Sequence, residues 1–182
     1  MRNLTLDDKW EPWKEYPQIW PTKSKFFTWM RGCLRSALWM QSPIKIDFKN
    51  GACKLPPPES YTGRGRTGTY CALTGVWECK SKLEVDHIKG NIPLTDEEDI
   101  LNFIKHLVPP RGSLQMVTNP AHKVKSHSER KGISFEDATI EKKAIAIINE
   151  IGDKEYLKSM GLPVGSNAKM RREQIINFLR NT

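Results

Sequence analysis

Apolar residues recur at helical spacing near the start of the chain. Between residues 22 and 40 they lie three or four positions apart, which predicts one amphipathic helix, and Pro43 ends the pattern. This stripe consists of Phe26, Met30, Cys33, Ala37 and Met40. Tryptophan and proline alternate over residues 10–21, which excludes a continuous helix there. We interpret that part as an extended arm whose rings pack on a neighbouring core, in preference to a surface on which bases stack.

The middle of the chain contains two predicted strands followed by a helix. Alternating apolar residues indicate a short strand over residues 82–88 and a second strand over 113–117. Asn119 followed by Pro120 predicts a helix N-cap with proline at the first helical position. The helix should end before Gly132.

Further helices precede and follow these elements, and the fold class is therefore α+β. Thr95-Asp96-Glu97-Glu98 fits a capping box, and the apolar stripe behind it ends at Pro109. The last third of the chain is predicted to be all-helical, with helices through residues 140–151, 154–160 and 169–180.

These elements divide the chain into four parts. Residues 1–51 form the aromatic arm and its helix, and residues 52–69, which are rich in proline and glycine, form a mobile linker. Residues 70–132 hold the two strands and the helix, and residues 133–182 form a helical tail. A chain of 182 residues is long enough for one core with a small appendage.

Composition and charge favour a polyanionic partner. The 29 lysines and arginines exceed the 21 acidic residues, which gives a net charge of +8. Such a surplus attracts nucleic acids, because phosphates release counterions when they are neutralised. No apolar run approaches the roughly 20 residues that a bilayer crossing needs, and the start lacks the apolar core of a signal peptide. We therefore expect a cytoplasmic protein without a membrane partner, whose four cysteines are free thiols: Cys33, Cys53, Cys71 and Cys79.

Ionisable side chains end the first predicted strand and enter the helix. Asp86 and His87 are adjacent at the end of that strand, and His122 lies in the helix. Phosphodiester cleavage with one metal needs a carboxylate and an imidazole to hold the cation, and a second imidazole to take a proton from water. Adjacent strand residues point to opposite faces, so Asp86 and His87 are expected to divide these roles.

Three segments of the chain carry a family resemblance. Residues 83–88, 114–117 and 120–126 resemble the HNH nuclease pattern, which has an Asp-His strand, an Asn-Leu-Gln strand and a helix that begins Cys-His-x-x-Lys-Thr. Residues 25–31, Lys-Phe-Phe-Thr-Trp-Met-Arg, are similar to an upstream segment of HNH endonucleases from tailed phages. The resemblance covers residues 22–131 and implies a ββα-metal (His-Me finger) core with helical elements on both sides.

The resemblance also implies an activity, a cofactor and residue roles. The implied activity is metal-dependent hydrolysis of phosphodiester bonds in DNA, with one divalent cation, Mg²⁺ or Mn²⁺. Asp86 and His122 match the family's metal ligands, His87 matches the general base, and Lys125 matches a basic residue near the phosphate. The asparagine that orients the general base in the family falls at Ser113, whose hydroxyl is shorter.

Many relatives also bind a structural zinc through two Cys-x-x-Cys pairs. Cys71 matches the first of these positions, but the other three hold Thr74, Thr118 and Ala121. A tetrahedral zinc site needs four ligands, so we expect no structural zinc. His127 follows His122 by five residues, a rotation of about 140° on a helix. It should therefore point away from the metal, as a phosphate contact or a surface residue, and a metal ligand is the less favoured alternative.

Within the tail, residues 155–179 are similar to a SAP-type helix hairpin, which binds the DNA backbone. A helical cap with a basic surface is the alternative. The basic residues expected to contact DNA are Arg111, Lys123, Lys125, Arg130, Lys169, Arg171 and Arg172.

Two other functions fit the same sequence. Ser113 and the missing cysteines also fit a DNA-binding module that has lost catalysis. The metal chemistry does not itself demand DNA, so a nuclease acting on RNA is the second alternative. The oligomeric state stays open, and a phage-encoded protein would act in the cytoplasm of its bacterial host.

Overall fold

A computed structural model describes residues 10–182, so the first nine residues of the predicted arm lie outside the described residues. The chain divides into two compact units, Met1–Met116 and Val117–Thr182. The boundary lies inside a strand, within the range 70–132 that was predicted to form one core. In the described part of the chain, no helix is long and apolar enough to cross a membrane.

Helices dominate both units, and the strands are short, which confirms the α+β class. The helices are α1 (Pro12–Glu15), α2 (Lys23–Leu34), α3 (Pro43–Ala52), α4 (Ile100–Leu107), α5 (Asn119–Lys131), α6 (Phe135–Glu150), α7 (Asp153–Ser159) and α8 (Ala168–Arg180). The strands are β1 (Gly68–Tyr70), β2 (Trp77–Cys79), β3 (Leu83–His87) and β4 (Leu114–Thr118). A π-helix spans Arg35–Met40, and 3₁₀ turns span Lys80–Lys82, Glu97–Asp99 and Arg111–Ser113. β1 pairs with β2 in one two-stranded sheet, and β3 pairs with β4 in another.

The predicted helix over residues 22–40 exists, but three of the five residues in its predicted apolar stripe are wrong. Cys33, Ala37 and Met40 are exposed. Leu34, Leu38 and Trp39 pack on the core instead, together with Phe26 and Met30. The reason is the change from α-helix to π-helix after Leu34. Hydrogen bonds from i to i+5 bring residues five apart near one another, and they turn Trp39 towards the side that holds Leu34.

Pro43 is the first residue of a helix that the sequence did not lead us to predict. The first helix ends before Pro43 as predicted, but α3 starts at Pro43 and continues to Ala52. Proline fits the first turn of a helix, because the N–H that it lacks has no intrahelical partner there. Ile44 and Phe48 of α3 pack on the core of the first unit.

Two predicted helix caps are displaced by one residue. The capping box uses Asp96 as the N-cap, and the Asp99 carboxylate accepts from the N–H of Thr95 at 2.8 Å and of Asp96 at 3.2 Å. In α5 the N-cap is Thr118 and not Asn119, since the Thr118 hydroxyl accepts from the N–H of Ala121 at 3.3 Å. The end of α5 is confirmed: Gly132 caps it with a φ of 66°.

Main-chain hydrogen bonds join the two ends of the predicted linker. Leu55 and Gly68 exchange two main-chain hydrogen bonds of 3.1 and 2.9 Å, and β1 begins at Gly68. A Cβ atom at Gly68 would lie 2.0 Å from the carbonyl oxygen of Glu78 on β2, so only glycine allows this close pairing.

The aromatic rings of the arm pack on the core of the first unit, as predicted. Trp13 and Trp20 lie against that core, and the Trp20 ring centroid is 5.1 Å from that of Phe26. The Trp10 ring meets the same phenylalanine edge-on at 5.4 Å. The arm is not wholly extended, because α1 forms one helical turn at its proline.

The second unit is a group of helices with its own small core. Ala144 of α6, Leu157 of α7 and Ile175 of α8 are fully buried and pack together. Glu141 of α6 holds three basic side chains on one carboxylate oxygen: His127 at 2.8 Å, Lys131 at 2.6 Å and Arg172 at 3.3 Å. Lys131 beside it holds the pKa of the Glu141 carboxyl below its ordinary value. α6, α7 and α8 thus share a core, and ion pairs of Glu141 link α6 to α5 and α8.

Replacing Glu141 with glutamine should destabilise the second unit. The buried His127 loses its charged partner, and an unsatisfied buried polar group costs about 1–3 kcal/mol. We expect urea unfolding to show a loss of that size, while Glu150→Gln, an exposed glutamate of the same helix, changes little. The wild-type advantage should be full above the ordinary carboxyl pKa and should vanish as the pH falls through the lowered pKa of Glu141. Equal stability of the two variants at pH 7 would refute this role.

Candidate active site

Asp86 and His87 lie at the end of β3, on opposite faces of the strand. Leu83 and Val85 belong to the buried core, so alternation along the strand places His87 on the core side. Asp86 faces the other way and is also buried, with 7% of its surface exposed. Ile88, just past β3, donates to the carbonyl of Ser113 at 2.9 Å, just before β4, as antiparallel neighbours do.

Gln115 of β4 orients the Asp86 carboxylate. Its Nε2 donates to Oδ2 of Asp86 at 3.0 Å. Sequence reasoning did not name Gln115 as a site residue. The sequence did contain a signal for it. Gln115 is the polar residue between the buried Leu114 and Met116, so alternation along β4 places it on the face opposite to theirs.

Two aromatic rings lie against the imidazole of His87: His106 is stacked on it and Trp39 is tilted towards it. The Trp39 ring centroid is 4.0 Å from that of His87 with an interplanar angle of 34°, and the His106 centroid is 4.0 Å away with an angle of 29°. The backbone of His106 also hydrogen-bonds the His87 side chain. Sequence reasoning named neither Trp39 nor His106. No local pattern marks them, because they come from helices far from His87 along the chain.

Burial and, to a lesser extent, the charge of neighbouring His106 lower the pKa of His87 to about 4. The hydrogen bond to the backbone of His106 acts in the opposite sense, but it is the smaller effect. A ring with this pKa is neutral at pH 7, and each neutral imidazole has one nitrogen that bears a proton and one that bears a lone pair. A ring nitrogen that donates to a carbonyl is the protonated one, which leaves the lone pair on the other nitrogen.

Ser113 acts in the structure through its main chain. Its carbonyl accepts from Ile88, and its N–H donates to the carbonyl of Pro110 at 2.9 Å. Its predicted part in orienting His87 stays a prediction, while the described contacts of the His87 ring are with Trp39 and His106.

His122 and Lys125 belong to the second unit, on the first turns of α5. His122 is half-buried, and Lys125 is buried with 8% of its surface exposed. Lys125 Nζ contacts Oε1 of Glu129 at 2.6 Å, one turn further along the same helix. Its predicted phosphate contact would therefore have to compete with a carboxylate. Asp86 and His87 are in the first unit, so the predicted metal pair is divided between the two units.

The expectation that His127 is a surface residue or a phosphate contact is wrong. It is 5% exposed, and its Nε2 lies 2.8 Å from Oε2 of Glu141. On its other side, a guanidinium nitrogen of Arg130 lies 3.2 Å from Nδ1. The apolar periodicity of α6 gave no sign that Glu141 would face α5.

The residues predicted to contact DNA differ in their exposure and in whether their side chains pair with other groups of the protein. Lys123 and Lys169 are exposed. Arg111 is exposed and pairs with Asp47 at 2.7 Å, while Arg172 reaches Glu141. Arg171 makes hydrogen bonds within the protein: its Nε donates to Asp153 at 2.8 Å and its Nη1 donates to the carbonyl of Gly165 at 3.1 Å. Only 12% of its side chain is exposed, so Arg171 joins α8 to α7 and to the preceding loop.

Asp86 and His122 each carry a side chain of a type that binds divalent cations. Asp86 offers a carboxylate, and His122 offers an imidazole. A metal-binding carboxylate commonly accepts a further hydrogen bond, as Asp86 does from Gln115. Among residues 10–182, no three or more His, Cys, Asp and Glu side chains are grouped as a metal site. The expected site has two protein ligands, Asp86 and His122, which is fewer than three.

Arg171→Gln should lower the stability of the protein, and Lys169→Gln should not. The arginine variant loses a charged hydrogen bond to Asp153, which is worth about 1.5–3 kcal/mol. The lysine is exposed, and such substitutions usually stay within about 0.5 kcal/mol. Urea unfolding of both variants beside the wild type measures the difference. If Arg171→Gln unfolded at the wild-type midpoint, its assignment as a structural contact would fail.

Comparison with known proteins does not supply a function. No family model, no curated protein and no solved structure matches this chain. A functional assignment therefore depends on the chemistry of the residues described above and on the order of the elements that carry them.

Proposed function

We propose that this protein is a metal-dependent DNA endonuclease of the HNH, or ββα-metal, type. One observation carries the proposal: β3, β4 and α5 come in this order along the chain, with α4 between the two strands. Asp86 and His87 end the first strand, and His122 lies in the first turn of the helix. This is the order of the HNH motif. Asp86, His87 and His122 agree with its residue types, while Ser113 stands where the family has asparagine.

Asp86 and His122 are the residues that would hold the cation. Their carboxylate and imidazole are ligands that Mg²⁺ and Mn²⁺ accept, and Gln115 keeps the carboxylate oriented. When bound, the cation supplies Lewis-acid stabilisation of the charge that develops on the phosphate.

His87 is the general base in this proposal. It is neutral at pH 7, so its lone pair can take a proton from the attacking water. The phosphate is negatively charged, and the net charge of +8 favours its approach. The exposed Lys123 and Lys169 are suited to contact phosphates of the DNA backbone.

Supercoiled plasmid tests the activity. With Mg²⁺ or Mn²⁺ the protein should convert it to the nicked form, and a chelator should prevent this. His87→Ala should abolish nicking and leave Mn²⁺ and DNA affinity nearly unchanged, because the base acts only on the water. Asp86→Asn should weaken Mn²⁺ binding in calorimetry, whereas Glu84→Gln, which removes the same charge from the same strand, should not.

The outcomes separate the candidate functions. DNA binding without nicking in any of the metals would replace the proposal with a DNA-binding module that has lost catalysis. Faster cleavage of a structured RNA than of plasmid would make RNA the substrate. Nicking by His87→Ala at the wild-type rate would remove His87 from the mechanism.

The salt dependence of DNA binding tests the contacts of the second unit. If Lys169 meets a phosphate, Lys169→Gln should weaken binding and reduce the slope of log affinity against log salt by about 0.9. Lys158→Gln removes the same charge from another exposed position and should leave the slope unchanged. Affinities at several salt concentrations measure both slopes. Identical slopes for both variants and the wild type would exclude a phosphate contact at Lys169.

A further inference from the structure

We propose that Trp39 and His106 are positioning residues that hold the His87 imidazole in a single orientation for catalysis. This inference rests on the proposed nuclease function. We call these two side chains the His87 clamp. They take the place of the asparagine that orients the general base in the HNH pattern, which falls here at Ser113.

The distances require the two rings of the clamp to lie on opposite faces of His87. Both ring centroids are 4.0 Å from the His87 centroid, and both planes lie within 34° of the His87 plane. A ring has only two faces, and two rings at this distance are too wide to share one. The imidazole is therefore enclosed from both sides, which prevents it from tilting out of its plane.

A hydrogen bond prevents the remaining motion, which is rotation of the imidazole within that plane. The backbone of His106 bonds the His87 side chain, so one nitrogen of the ring is directed at a fixed main-chain group. The stacking side chain and the hydrogen-bonding main chain belong to the same residue. His106 thus controls both the plane of the ring and the direction of its second nitrogen.

The elements that carry the clamp are themselves held by the core. Trp39 is 5% exposed and belongs to the core of the first unit, where the π-helix has turned it inwards. His106 lies between the buried Phe103 and Leu107 in the last turns of α4. The buried Trp39 and the half-buried His106 are therefore both attached to the core of the first unit.

Ser113 leaves this task to the clamp. Its described hydrogen bonds are made by its main chain, to Ile88 and to Pro110. Orientation of a catalytic group has a large kinetic effect, because a displacement of about 1 Å can reduce the rate roughly 100-fold.

Leucine and phenylalanine substitutions in the full-length protein test the clamp. Trp39→Leu and His106→Leu keep an apolar side chain but remove the ring, and His106→Leu also keeps the main-chain group. Each should lower kcat for plasmid nicking by about 10–100-fold with KM within about twofold. Trp39→Phe and His106→Phe restore a ring and should recover most of kcat. Phe27→Leu removes an equally buried ring whose described ring contacts are with Trp13 and Phe26, so its kcat should stay near wild type.

Nitrogen NMR of the His87 ring gives a readout that does not depend on cleavage. In the wild type, the two ring nitrogens should show the distinct shifts of one tautomer. In the two leucine variants these shifts should move towards an average, while Phe27→Leu should keep them apart. Because an unfolded chain would average the shifts as well, each leucine variant should also keep the dispersed amide spectrum of the folded protein.

Failure of the clamp differs from failure of the nuclease assignment. An active wild type with leucine variants of unchanged kcat would overturn the clamp alone. Distinct nitrogen shifts in both leucine variants would also overturn it. A wild type that binds DNA but does not cleave it with Mg²⁺ or Mn²⁺ would overturn the nuclease assignment, and with it any catalytic purpose of the clamp.

Discussion

Burial of two ionisable side chains at the end of β3 constrains the whole first unit. Asp86 and His87 are each 7% exposed, and a polar group buried without partners costs roughly 2–7 kcal/mol. Their neighbours in space therefore have to supply both polar partners and close packing. Gln115 supplies a donor for Asp86, and the backbone of His106 supplies a hydrogen bond for His87. Segments that are far from Asp86 and His87 in the sequence therefore have to pack against these two residues.

The π-helix after α2 is one consequence of this constraint. A regular α-helix turns residues five apart by about 140°, which would carry Trp39 away from the side occupied by Leu34. The wider π-helix brings Trp39 to the core, where its ring stacks on His87. Insertions of this kind often occur at functional sites, because they redirect one side chain without ending the helix.

A charged residue joins the helices of the second unit beside its apolar core. Its buried core is small, and Glu141 links α6 to both α5 and α8 through His127, Lys131 and Arg172. Removing one partner of a buried pair is costly, since the other charge stays behind without compensation. Two basic residues that looked like DNA contacts in the sequence, Arg171 and Arg172, take part in such internal pairs.

The sequence by itself determined the α+β class, the order of the strands and helices in the middle of the chain, and the end of α5 at Gly132. These features depend on local causes: side-chain periodicity, capping, and the backbone freedom of glycine. It also placed Asp86 and His87 on opposite faces of one strand, because alternation is a property of the strand itself. Only the tertiary structure decided which apolar stripe of residues 22–40 faces the core, that His127 is buried against Glu141, and that Trp39 and His106 enclose His87. The partners of a buried polar group come from whatever segment packs against it, and packing between distant segments leaves no periodic mark on either one.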